Sequence, residues 1–152
     1  MLSSLAEFAF SPTRCLFITT NIMIDVAYQF ASLIDNKQFD EAAALLAEDC
    51  SYSYREGSYT GRKNIINIYK MNHLQVKRMF DEIRYSSEVE LVNPEKFKIH
   101  FTDEVRLGDA WHTSRFDQLL RFEDGQIVEI QDIQLPGEEE AFREFYQGRR
   151  RG

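Results

Sequence analysis

The chain is 152 residues long, enough for one domain and too short for two comfortable ones. Hydrophobic residues make up 43% and charged residues 28%, as in an ordinary globular protein, and the net charge of −7 argues against general nucleic-acid binding, which needs a basic footprint. Cys15 and Cys50 lack the spacing of a zinc site or a disulfide framework, so reduced thiols and a cytoplasmic setting are expected.

Along the chain, no run of about 18 apolar residues suggests a membrane span. Leu16 to Ile24 is fairly apolar, but Glu7 sits where a secretory signal wants positive charge, and Thr19, Thr20 and Asn21 interrupt the run. Residues 1–21 read as a loosely ordered extension, 22–147 as the domain, and 148–152, with Arg149, Arg150 and Arg151, as a solvated basic tail.

From Ile22 to Asn36 the apolar residues Ile22, Val26, Phe30, Leu33 and Ile34 recur at helical spacing. A second helix is expected from Phe39 to Ala47, with Asp40 and Glu41 favourably placed in its first turn. Cys50 to Tyr54 alternates with period two and predicts a short strand; Gly57 and Gly61 bracket a turn-rich connection. Arg62 to Phe80 is the longest helical pattern, with Ile65, Ile66, Tyr69, Leu74, Val76 and Met79 apolar.

Strands follow. Ile83 to Val92 alternates roughly, Asn93-Pro94 turns, and Phe97, Ile99 and Phe101 alternate cleanly with polar residues. Trp111 to Phe122 and Ile127 to Leu135 are joined by Asp124-Gly125, a strong hairpin signal. Glu138 to Tyr146 suits a short terminal helix. Helices first and strands afterwards predict an α+β fold, with the helices on one face of a curved, mostly antiparallel sheet.

Three stretches carry a family resemblance: Phe39 to Cys50, Tyr59 to Ile65, and Leu120 to Asp132. In order and spacing, over about Met23 to Leu135, the chain resembles the nuclear transport factor 2-like (NTF2-like) superfamily, which includes SnoaL-like polyketide cyclases, ketosteroid isomerases, limonene epoxide hydrolases and scytalone dehydratases. The resemblance implies a cone-shaped α+β barrel with an internal pocket, and frequent homodimerisation. The fold hosts enzymes, binders and adaptors alike.

Asp132 leads the candidates. Val128, Ile130, Asp132 and Gln134 share one strand face; a carboxyl on a buried face is desolvated, its pKa rises, and it becomes a usable acid or base. The resemblance matches Asp132 to a last-strand aspartate that does acid–base work. The alternative is a solvated residue near the strand end. His112 and Gln118 share parity with Phe116 and Leu120, so His112 could shuttle protons with Asp132 and Gln118 could donate to a ligand oxygen; otherwise His112 is an exposed turn residue and Gln118 a satisfied core amide. By resemblance Tyr54 and Phe30 replace the isomerases' catalytic aspartate and tyrosine donor, which makes the pocket more apolar and argues against steroid-type isomerisation by that mechanism. Tyr52, Phe116 and Ile130 complete the expected lining.

Thr102 to Arg106 does not reproduce the arginine–carboxylate spacing of the epoxide hydrolases. His73 and His100 read as exposed, Arg115 and Asp117 as a surface pair, and neither a metal site nor a phosphate loop is recognisable. The functions that fit are a cofactor-independent isomerase, cyclase or dehydratase acting on an apolar, oxygen-bearing molecule, a non-catalytic binder of such a molecule, or a dimerising interaction module. Pocket volume bears on the last, since below about 300 Å³ a drug-sized ligand does not fit.

Overall fold

A computed structural model describes residues 12–150, with side chains described from 22 to 149. In chain order the elements are α1 (Pro12–Asp35), α2 (Phe39–Ala43), β1 (Leu46–Tyr54), β2 (Gly57–Thr60), α3 (Arg62–Met79), β3 (Glu82–Asn93), β4 (Lys96–Leu107), β5 (Ala110–Glu123), β6 (Gln126–Ile133) and α4 (Glu138–Arg150). The six strands form one mostly antiparallel, unclosed sheet in the order β2-β1-β6-β5-β4-β3. Among the described residues its one parallel pairing joins β1 to β6.

Helix α1 starts ten residues before the apolar periodicity does, with Pro12 in its first turn, where a missing N–H is tolerated. Residues 1–11 of the expected extension lie outside the described residues. Helix α2 stops at Ala43, and β1 already begins at Leu46, because Leu46 and Ala47 are buried in the core and Ile127 donates its N–H to Leu45. The expected turn after Tyr54 contains strand β2, paired antiparallel with β1. Helix α4 runs through the first part of the expected basic tail, and the Arg149 guanidinium lies 5.9 Å from the Phe145 ring centroid.

Helix α1 ends in a Schellman arrangement. Gln38 donates its N–H to the Leu33 carbonyl at 2.8 Å and Lys37 donates to Ile34 at 3.0 Å, which forces Lys37 to φ +62°. A side chain in this left-handed region is strained. Lys37→Gly is therefore expected to stabilise the fold by about 1 kcal/mol, measured as a higher urea midpoint at unchanged slope. The Asp124-Gly125 hairpin behaves as its sequence predicts: both residues have positive φ, +50° and +76°, the type I′ pattern.

The core lies between the helices and the concave sheet face. Phe30, Leu46, Ile65, Phe97, Ile99, Leu120, Ile127 and Ile130 are fully enclosed. The convex face is laced with ion pairs. Glu82 takes Arg84 at 3.0 Å and Arg106 at 3.3 Å, and Arg84 stacks on Trp111. His100, expected to be exposed, is half-buried between Glu90 (2.7 Å) and Asp117 (2.8 Å), and the hydrogen bond to Glu90, above all, raises its pKa. Asp117 is thus buried against His100, not paired with Arg115 at the surface.

Candidate functional site

Beneath α1, α2 and α3, the concave face encloses a cavity of about 260 Å³. The parity of each strand decides what reaches it. On β5, Phe116 and Gln118 follow the inward alternation that ends in Leu120; on β6, Asp132 follows Ile130; on β4, Asp103 follows Phe97, Ile99 and Phe101. Tyr52 enters from β1, Tyr69 and His73 from α3, Tyr85 from β3 and Asp35 from the end of α1. The stacked rings of Phe101 and Phe116, 5.0 Å apart, form part of the wall.

At one end, four side chains form a directed network. Tyr69 donates its hydroxyl hydrogen to Gln118 Oε1 at 2.6 Å, which turns the amide nitrogen the other way. Gln118 Nε2 donates to Asp132 Oδ1 at 2.8 Å and to the Tyr52 hydroxyl at 3.2 Å. Tyr52 in turn donates to Asp132 Oδ2 at 2.5 Å, a length typical of a hydroxyl on a carboxylate. Burial raises the Asp132 pKa, opposed by these two donors. Burial also raises the phenols of Tyr52 and Tyr69, so both remain protonated donors. Each Asp132 oxygen keeps a lone pair for a substrate proton.

The other end carries Asp35, His73, Tyr85 and Asp103. Burial first, and the Asp35 charge second, push Asp103 up to about 7. His73 Nδ1 lies 2.9 Å from the Tyr85 hydroxyl, and burial, with help from Lys37 and Lys77, lowers the His73 pKa, so the ring is neutral near pH 7. His73 is therefore part of the cavity wall, where an exposed helix position was expected.

Of the expected site residues, the structure brings Asp132, Gln118, Tyr52 and Phe116 together. Phe30 and Ile130 are fully buried behind the wall, Phe30 meeting the edge of Tyr69. Tyr54 keeps the parity of Tyr52 but lies beyond the cavity, stacked on Tyr59. His112 also has the inward parity, yet it stacks on Phe145 and abuts Phe142 of α4, away from Asp132, with its Nε2 buried and unpartnered. Asp103, Tyr69, Tyr85 and Asp35 were not anticipated as site residues. For Asp103 the signal was present, in the Phe97-Ile99-Phe101 alternation that it continues.

Cys50 is buried, and its thiol is pushed up to about 12, which leaves it unreactive. Among the described residues no group of three or more His, Cys, Asp or Glu is placed to hold a metal ion, and no helix is long and apolar enough to cross a membrane.

No family model and no curated relative matches the sequence. Solved structures do match. An NTF2-like protein of unknown function from Burkholderia pseudomallei K96243 superposes with a TM-score of 0.61 at 19% identity, over 80% of this chain and 95% of that one. The chain has the NTF2-like fold. TerC, co-crystallised with polyporic acid, shares this NTF2-like architecture with a TM-score of 0.64 at 16% identity, over 83% of this chain and 98% of TerC. An epoxide hydrolase of M. tuberculosis, of the LEH-like type, gives 0.56 at 16% identity, over 87% and 92%. At these identities the likeness concerns the NTF2-like fold alone.

Proposed function

We propose that this protein binds a small, largely apolar, oxygen-bearing molecule in the concave cavity and moves a proton on it without a cofactor, with Asp132 as the acid–base group. The observation that carries this reading is the Asp132–Tyr52–Gln118–Tyr69 network at one end of an aromatic cavity. A desolvated carboxyl is a stronger base than a solvated one. When Asp132 takes a proton, the Tyr52 hydroxyl and the Gln118 amide are released to donate to an oxyanion on the substrate. Isomerisation, aldol-type cyclisation and dehydration all fit this arrangement. TerC's co-crystal with polyporic acid and the LEH-like hydrolase support a ligand-binding, catalytic use of the same fold.

The volume narrows the substrate. About 260 Å³ falls below the roughly 300 Å³ at which drug-sized ligands begin to fit, which excludes a drug-sized ligand and by that measure favours the interaction module, so the pocket reading requires a smaller molecule, a single ring with short substituents. His112 takes no part in proton transfer, because α4 holds it elsewhere.

The test is a thermal-shift screen against small ring carbonyls and phenols, run beside Asp132→Asn, since a ligand of the folded state raises its stability. The expected result is a hit with turnover in the wild type and a loss of about 100-fold or more in the variant, the range of a lost general base. A hit bound equally by both proteins without turnover would instead establish a non-catalytic binder.

A further inference from the structure

The proposed proton transfer uses one end of the cavity and leaves the other unexplained. The lining holds three carboxyls, Asp35, Asp103 and Asp132, and neither Lys nor Arg. Asp132 has its two donors, and Asp35 accepts the Ser87 hydroxyl at 2.6 Å. Asp103 has no hydrogen-bond or salt partner among the described residues. It sits beside Tyr85, its cross-strand partner on β3, whose phenol is pushed up to about 12 by burial and then by the Asp103 charge. Lys37 stands over the Tyr85 ring at 5.6 Å but does not line the cavity.

The register places these groups relative to one another. Asp103 lies two residues beyond Phe101 on β4, and Gln118 two residues beyond Phe116 on β5, while Phe101 and Phe116 are themselves paired. The stacked phenylalanines therefore separate an Asp103 end from an Asp132 end. On a sheet, two strand spacings and four residues put the Asp103 and Asp132 backbones on the order of 15 Å apart. Both side chains reach inward from there, leaving a span suited to one ring and a short arm.

We propose that the molecule taken by this cavity carries a protonated amine at one end and an oxygen function at the other. The ammonium group sits between Asp103 and Asp35 beside the Tyr85 ring, the apolar ring lies along Phe101 and Phe116, and the oxygen meets the Asp132 network. This rests on the cavity being the ligand site. An ammonium ion supplies the countercharge that the desolvated Asp103 lacks, and aromatic faces attract cations further. A carboxylate or phosphate ligand would instead meet three carboxyls and no Lys or Arg in the lining.

Isothermal titration at pH 7.5 with three probes of one shape tests the charge: tyramine (cation), tyrosol (neutral) and 4-hydroxyphenylacetate (anion). Tyramine is expected to bind at least ten-fold tighter than tyrosol, with 4-hydroxyphenylacetate the weakest. Asp103→Asn, checked for native circular dichroism, should bring tyramine to the affinity of tyrosol and leave tyrosol unchanged. Tyrosol binding as well as tyramine in the wild type would overturn the amine and keep the cavity as a ligand site, with Asp103 a protonated donor. A tyramine preference that survives Asp103→Asn would overturn the placement. No binding of any probe at millimolar concentration would remove the ligand site and the amine together.

Discussion

Asp103→Asn is expected to raise the midpoint of thermal unfolding at pH 8 by roughly 4 to 8 °C, which corresponds to about 2 kcal/mol in a chain of this size. The cause is a carboxyl whose charge the folded state resists. Its pKa is about 7 when folded, against 3.8 for the free group. Below pH 4 both folded and unfolded chains hold the proton, and the residue exerts no penalty. As pH rises towards 7, the unfolded chain has released the proton and the folded chain has not, so stability falls; above 7 the loss is complete. The full three-unit shift corresponds to about 4 kcal/mol, and because Asp103 faces a cavity that water can enter, about half of that is expected. The variant's advantage should therefore be near zero at pH 4 and grow to its full size by pH 8. Melting curves of both proteins across that range check it; a variant no more stable at pH 8 would mean that Asp103 is compensated in the free protein. A gain of this kind is the usual trade between stability and a poised site.

Gln118→Leu is expected to act in the opposite sense, lowering stability by about 2 to 3 kcal/mol, because it strips partners from several buried polar groups at once. Gln118 is 2% exposed, accepts from Tyr69 and donates to both Tyr52 and Asp132. Leucine fills similar space, so packing is not the main loss. Removing a donor from Asp132 also removes an opposition to its raised pKa, so the acid limb of any activity profile should move to higher pH. Tyr69→Phe provides the comparison: it leaves the Asp132 bonds in place and should cost about 1 kcal/mol with no such movement. Chemical denaturation and a pH–rate profile of the three proteins separate the two effects.

Strand alternation made much of this site legible in advance. Ile130 points to Asp132, and Leu120 to Gln118, because a buried neighbour two residues away settles which face a side chain takes. Val128, read on the same face, is only partly buried: the register with β5 shifts there, and Ile127 is the enclosed residue. Asp103 obeys the same rule after Phe101, in a segment that lacks the epoxide hydrolases' arginine–carboxylate spacing. Parity alone could not say which part of the concave face stays open. His112 has the inward parity but lies under Phe142 and Phe145, because the docking of α4 depends on tertiary packing. Tyr54 likewise faces inward past the cavity's end. Tyr69 had the spacing of an apolar helix position, and only the approach of α3 to β5 shows that its hydroxyl has a partner. Asp35 and Tyr85 depend on the contact of α1 with the edge strand β3, which no local pattern encodes. The four-residue β2 is masked in the sequence by Gly57, its first residue, and Gly61, just after it.

Tyr52 and Asp132 stand 80 residues apart in sequence, and their strands, β1 and β6, form the sheet's only parallel pairing among the described residues. A growing chain can pair β3, β4 and β5 through local hairpins, but β1 must wait for β6 to be synthesised and added. Closing so long a loop is entropically slow. A chain in which only the β3–β5 hairpins have paired therefore still lacks the contact of Tyr52 with Asp132.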